Sequence, residues 1–242
     1  MMKRLALPAL LVFATLAAGC GYLGSARPLD PRQFDREPGW VAVPDVQFQK
    51  QKTEYDCGAA SVAMLLSHWG QPSTPEEIVA ACPASKEGMK AGELRDLIKK
   101  RGLKGFLIHG TLEDLKTELS AKRPVIVGLI KPYVNGGFSH YEVVVGINPD
   151  LKRVATLDPA GGPRHNTYEG FLQEWEPAGT LTIVVIGPEG KAVPPKEPAS
   201  SRLPLTLSPL MAAPDPALLS GSRRPPILSL KPEISVINSR HW

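Results

Sequence analysis

The sequence predicts an α+β fold in which N-terminal helices pack on an antiparallel sheet. Three observations carry this. Between residues 57 and 120 apolar side chains recur at helical spacing, in segments with recognisable start and stop residues. From Pro124 to Gly187 the period falls to two, or to short apolar runs broken by Gly, Pro, Asn and Asp. Helices first and strands afterwards favour helices on one side of an antiparallel sheet over an alternating parallel one.

Residues 21–42 carry Gly, Pro, Asp and Arg without an apolar period and read as a tether. "VPDVQFQKQ", from Val43, alternates apolar and polar residues and reads as an edge strand. A helix opens at Cys57: Ala60, Ala63, Leu66 and Trp69 share its spacing, small residues from Gly58 to Ala60 allow close packing, and Gly70 stops it. In "STPEEIVAAC" Thr74 caps, Pro75 takes the first helical position and Glu77 closes a capping box. "AGELRDLIKKRG" puts Leu94, Leu97 and Ile98 on one face and stops at Gly102, and "TLEDLKTELSAKRP" runs from Thr111 to Pro124. "PVIVGLI", "HYEVVVGI", "RVATLD" and "TLTIVVIG" are the expected strands, with "YEGFLQEW" a short helix among them. Eleven of the 25 prolines fall after Gly187, so 188–242 reads as a disordered tail.

With 242 residues, 43% of them hydrophobic, the chain suits one domain plus extensions. Its +4 net charge is scattered without a basic run, which excludes a nucleic-acid footprint. Lys3 and Arg4 precede an apolar run from Leu5 to Ala18, too short to span a bilayer comfortably, that ends in small residues before Cys20. This resembles a bacterial lipoprotein signal over residues 1–19, which implies lipid on Cys20 and an envelope location. Gly21 after the Cys resembles outer-membrane sorting, on the periplasmic face. Ordinary secretory cleavage and an uncleaved anchor are the alternatives.

Cys57 is the residue to explain. A free thiol with a pKa of ~8.5 is only a few per cent ionised at neutral pH, and a helix N-terminus or an imidazolium makes it a better nucleophile. Cys57 opens a helix and so has the first. For the second, His68 lies three turns along the same helix, His109 at a strand-to-helix junction, His165 in a polar loop and His241 in the tail. His140 begins the strongest strand, straight after "NGGFS", at a sheet end that can meet a helix N-terminus. If "NPDLK" turns a hairpin, Asp158, at the end of the next strand, becomes a cross-strand neighbour able to orient the imidazole. Asp158-Pro159 also reads as plain turn chemistry. The Cys57 N–H and the Gln51 side-chain amide, six residues upstream, are candidate oxyanion donors. The cysteines lack zinc-ligand spacing, so neither a metal nor an organic cofactor is implied.

"QKTEYDCGAASVAMLLSHWG" followed by "SHYEVVVGINPDLKRVATLDPAGG" resembles the bacteriocin-processing, double-glycine cysteine peptidases, a papain-like group, over roughly residues 43–187. The resemblance implies a papain-like fold and a peptide or protein substrate. It makes Cys57 the nucleophile, His140 the base, Asp158 its orienter and Gln51 the oxyanion donor. Members known for leader cleavage are usually fused to a membrane-spanning transporter with an ATPase, and neither module is in this sequence. Two rivals stand beside this reading. One is a non-catalytic lipoprotein that binds a peptide or partner with the same fold. The other is a structural lipoprotein with a Cys57–Cys82 disulfide, in which Asp56, Gly58 and the Gln51 spacing have no explanation. Cys82, after an apolar helical face, is expected buried and inert.

Overall fold

A computed structural model describes residues 21–188. The local signals act where the sequence places them. Helix α2 (Cys57–His68) begins at Cys57, and Gly70 follows it with φ +75°, a conformation that suits a residue without a Cβ. Thr74 and Glu77 close a complete capping box on α3 (Pro75–Ala81), with Pro75 in the first turn. Helix α4 (Ala91–Lys100) buries Ala91, Leu94, Leu97 and Ile98. Thr111 and Asp114 form the box that starts α5 (Leu112–Ser120), and Thr167 caps α6 (Tyr168–Trp175).

The remaining elements build the sheet. Its strands are β1 (Arg27–Pro28), β2 (Val41–Ala42), β3 (Lys104–His109), β4 (Val125–Tyr133), β5 (Gly136–Asn148), β6 (Arg153–Asp158), β7 (Gly162–Thr167) and β8 (Leu181–Ile186). All pairs are antiparallel, in the order β1-β7-β6-β5-β4-β8-β3, with β2 also on β5. Two consecutive hairpins position the site. β4 and β5 pair from Val125↔Val144 to Tyr133↔Gly136. β5 and β6 pair from Asn148↔Arg153 to Val143↔Leu157, so 149–152 is the expected turn.

Several expectations need correction. β5 is buried from His140 to Asn148 without alternation, so both its faces are covered rather than one. Tyr141 donates its hydroxyl to the Met89 carbonyl at 3.0 Å. Its strand neighbour Glu142, on the opposite face, pairs with Lys131, which also reaches Glu174 of α6. His140 does not begin β5. Gly136–Ser139 precede it in the strand as an exposed ribbon, and His140 is the first buried residue. Residues 43–51 are irregular rather than a strand, although Val43 and Val46 are buried. His165 lies on β7.

Residues 21–42, expected to be a tether, are strapped to the sheet. β1 pairs with β7 and β2 with β5, and a single helical turn, α1 (Gln33–Arg36), lies between them. Phe34 packs where Gly146 leaves room: a Cβ there would sit 2.9 Å from its ring. The segment adds backbone hydrogen bonds and isolated apolar contacts from Ala26, Leu29, Phe34 and Trp40, which leave no periodic trace in a sequence. The signal segment, Cys20 and the Pro-rich tail from 189 onward lie outside the described residues. Among the described residues no helix is long and apolar enough to cross a membrane.

Candidate active site

The start of α2, the first buried residue of β5 and the end of β6 meet at one place. His140 Nε2 lies 2.7 Å from Asp158 Oδ1. The other ring nitrogen, Nδ1, is buried without a formed hydrogen bond. Beside the ring is the Cys57 thiol. Burial alone would lower the His140 pKa, but the Asp158 hydrogen bond and then Cys57 outweigh it and raise the value to about 10. Cys57 is only 5% exposed.

Asp158 is held from three sides. Oδ1 also accepts from the Ala160 N–H at 2.9 Å, and Oδ2 accepts from Arg164 Nε at 2.8 Å. One carboxylate thus closes its own turn and also bonds the imidazole. Burial pushes this carboxyl up, but His140 and the Ala160 amide hold it well below the usual carboxylate range.

Gln51 reaches the same place by a different route. Asp56, which precedes α2, turns its carboxylate back to accept from Lys52 N at 3.1 Å and Thr53 N at 2.9 Å. That folds the 51–56 loop. The Gln51 N–H bonds the Pro159 carbonyl at 3.0 Å, tying this loop to the turn after Asp158. The Gln51 side chain does not aim a donor into the open space: Nε2 donates to the Thr53 carbonyl at 2.8 Å, and Oε1 is buried and unpartnered. A cleft of about 430 Å³ opens here, lined by Gln51, Tyr133, Phe138, His140 and Asp158 among others.

His140, Glu142 and Asp158 place one donor atom each within 4.8 Å of one another, a spacing able to hold a metal ion. Those donors are already in use, His140 on Asp158 and Glu142 on Lys131. The chemistry of the set is that of two ion pairs.

Sequence reasoning missed the layer behind the imidazole. Lys131 Nζ sits buried, 2.8 Å from Glu142 and 2.8 Å from Glu174. Tyr22 donates its hydroxyl to Glu174 and lays its ring 5.0 Å from the Lys131 nitrogen. Burial works against the Lys131 charge, but the two carboxylates outweigh it and hold its pKa above the ordinary lysine value. A charge inside each of the apolar segments "VIVGLIKPY", "HYEVVVGI" and "FLQEW" was the available signal. Arg164 left no signal.

Cys57 and Cys82 are both free, which overturns the disulfide rival. Cys82 sits 3.8 Å from a Glu93 oxygen. Burial, and then Glu93, push its thiol up. In the folded chain at pH 7, iodoacetamide is therefore expected to modify Cys57 and spare Cys82, read by peptide mass mapping. Modification of Cys82 at an equal rate would contradict this.

Residues 45–185 match the Peptidase C39 family, more than half of the chain and within two residues of the span read from the sequence at each end. The chain belongs to the Peptidase C39 family. It is 28% identical over 142 residues to the lactococcin-G-processing and transport ATP-binding protein LagD of Lactococcus lactis, covering 59% of this chain and 18% of that protein. It is 29% identical over 159 residues to the lactococcin transport/processing ATP-binding protein LcnC-like of the same species, covering 64% and 21%. This C39 chain thus spans about a fifth of the length of the curated relatives it matches. Among solved structures, a C39-like peptidase from Bacillus anthracis superposes with a TM-score of 0.53 at 20% identity, covering 62% of this chain and 98% of that one. The peptidase domain of Streptococcus ComA, a bi-functional ABC transporter, superposes at 0.51 and 24% identity, covering 59% and 99%. These likenesses establish the α+β, papain-like fold of a C39 peptidase domain, and the family places the chain among the peptidases.

Proposed function

We propose that this C39 chain is a cysteine peptidase of the bacterial cell envelope, held at the membrane by lipid on Cys20, that hydrolyses a peptide bond through Cys57, His140 and Asp158. The observation that carries the reading is the His140 imidazole, fixed by Asp158 through Nε2 and left with Nδ1 for the thiol that opens α2. Its relatives are named for processing, so a secreted or leader-bearing peptide is the substrate class that fits.

His140 takes the Cys57 proton, and the sulfur attacks the peptide carbonyl. The developing oxyanion is met by the Cys57 N–H and by Gln51. Gln51 reaches that role by turning its amide, exchanging the Thr53 bond for one to the substrate and freeing the unpartnered Oε1. With a pKa of about 10 the imidazole holds its proton at neutral pH. It delivers that proton to the leaving amine as the C–N bond breaks, and water then releases the acyl group from sulfur. Asp158 fixes which ring nitrogen faces the thiol.

The decisive experiment is to trap the acyl-enzyme. Acid quench during turnover of a peptide substrate, followed by intact and peptide mass measurement, is expected to place a thioester on Cys57. Cleavage with no adduct on Cys57, and undiminished in Cys57→Ala, would remove the reading. Gln51→Ala is expected to lower kcat by about 10²–10³-fold with KM changed little, as for loss of one oxyanion donor. A change confined to KM would move Gln51 from the oxyanion to substrate binding. Cys20→Ser is expected to release the protein from membranes; variant that still sediments with them after a salt wash would refute the lipid anchor.

A further inference from the structure

Gly21 to Leu23 run alongside the outer half of β4, joined to it by an isolated bridge. Val134 N–H bonds the Gly21 carbonyl at 3.1 Å, Leu23 N–H bonds the Pro132 carbonyl at 2.9 Å, and Tyr22 bridges Tyr133. β8 pairs with β4 only at Ile126 and Val127, which leaves this half of the edge open to the Gly21–Leu23 segment. The residue after Cys20 is thus fixed to the hairpin whose inner side lines the cleft.

That end of the molecule has an unusual surface. Leu23 is 66% exposed and Val134 68%, the two most exposed large hydrophobic residues among those described. The register puts Leu23 opposite Pro132 and Val134 two places on, so Leu23, Pro132 and Val134 share one face. Phe138, 40% exposed, lies on the other face with Lys131 and His140, toward the cleft. Neither Gly21–Ala26 nor Pro132–Ser139 contains a charged side chain, although 21% of the chain is charged. Both tyrosines there, Tyr22 and Tyr133, are half-buried.

We propose that the β4–β5 hairpin tip and the Gly21–Leu23 segment rest in the headgroup layer of the membrane through the face that carries Leu23, Pro132 and Val134, with the cleft on the hairpin's other face. This rests on the reading that Cys20, or the apolar run before it, attaches the chain to a membrane. Gly21 is fixed at the hairpin edge, so an anchor on the preceding part of the chain holds this patch at the lipid surface. An uncharged surface of aliphatic and aromatic side chains is what the interface accepts, while a patch exposed to water would be costly. The chain outside the described residues therefore selects lipid as the occupant over a protein partner or a second copy.

Full-length protein carrying Val134→Trp is reconstituted in phosphatidylethanolamine–phosphatidylglycerol vesicles that contain lipids doxyl-labelled at acyl carbon 5. Leu151→Trp, at an exposed hydrophobic position in the β5–β6 turn, is the control, and the unsubstituted protein gives the background of the four native tryptophans. The Val134→Trp indole is expected to be quenched at least about twofold more than the Leu151→Trp indole. Equal quenching in protein that sediments with the vesicles overturns the proposal and leaves the anchor reading standing. Protein that does not sediment overturns both. A concentration-dependent blue shift without lipid quenching would assign the patch to a second copy, and also overturns it.

Discussion

His140→Ala is expected to abolish hydrolysis and, separately, to silence Cys57 as a thiol at mildly acidic pH. The pair behaves as a unit, so loss of either member should lower kcat/KM by about 10⁴-fold or more. The alkylation experiment is independent of any substrate. With the His140 pKa at about 10, the ring stays protonated beside the sulfur through the neutral range. Alkylation of Cys57 should then remain substantial at about pH 6 and fall roughly 10²-fold there in His140→Ala, since a free thiol of pKa ~8.5 is less than a per cent ionised at that pH. His140→Gln, which fills the space without a charge, controls for collapse of the site. Identical profiles with one step near pH 8.5 would make Cys57 an ordinary thiol. The same shifts govern stability. The His140 pKa is raised, so its contribution is complete below its unfolded value of ~6.5 and is lost as pH rises through about 10. Asp158 is depressed, so its contribution is present above the unfolded value of ~3.9 and is lost as pH falls through its lowered folded value.

The second large effect belongs to Lys131→Ala. Removing a cation from between Glu142 and Glu174 leaves two buried carboxylates facing each other without compensation, at a cost of about 3–5 kcal/mol. For a domain of this size that corresponds to a fall in Tm of roughly 10 °C, read by calorimetry or circular dichroism. Replacing Lys131, Glu142 and Glu174 together with apolar residues of similar volume should cost much less, because such networks often break even against packed hydrophobic groups. A shift under about 2 °C for Lys131→Ala would mean that the carboxylates find water and that the site's backing is not closed. Glu142 also helps to raise the His140 pKa, and Lys131 helps to lower that of Asp158. Lys131→Ala should therefore alter the alkylation profile as well as the melting point.

The sequence was readable where structure is set within a few residues. The Thr74-Pro75-Glu77 cap, the opening of α2 at Cys57 and the 149–152 turn that brings Asp158 to His140 are of this kind. It was silent where the deciding partner is remote. β3 leaves Phe106 exposed and pairs only with the last strand, so "KGFLIH" gave no clean alternation. β7, "GPRHNT", is a strand because β6 and β1 flank it, not because of its own residues. Gln51, singled out by its spacing from Cys57, lines the cleft, but its amide direction depends on the Thr53 carbonyl, which no spacing rule reports. The charges of Lys131, Glu142 and Glu174 could be seen, yet their meeting depends on a contact between residues 43 apart.

The sheet order also carries a schedule. β8, the last of the described strands to be made, lies between β3 and β4, and Tyr22 meets Glu174 across 152 residues. A growing chain that has reached Asp158 already contains Gln51, Cys57 and His140, but β3 still has no strand to pair with and the lysine behind the imidazole still lacks Glu174. Pairings this distant in sequence form late and slowly. The nascent polypeptide thus holds every group of the candidate site before it holds the shape that gathers and backs them, and that shape waits on β8.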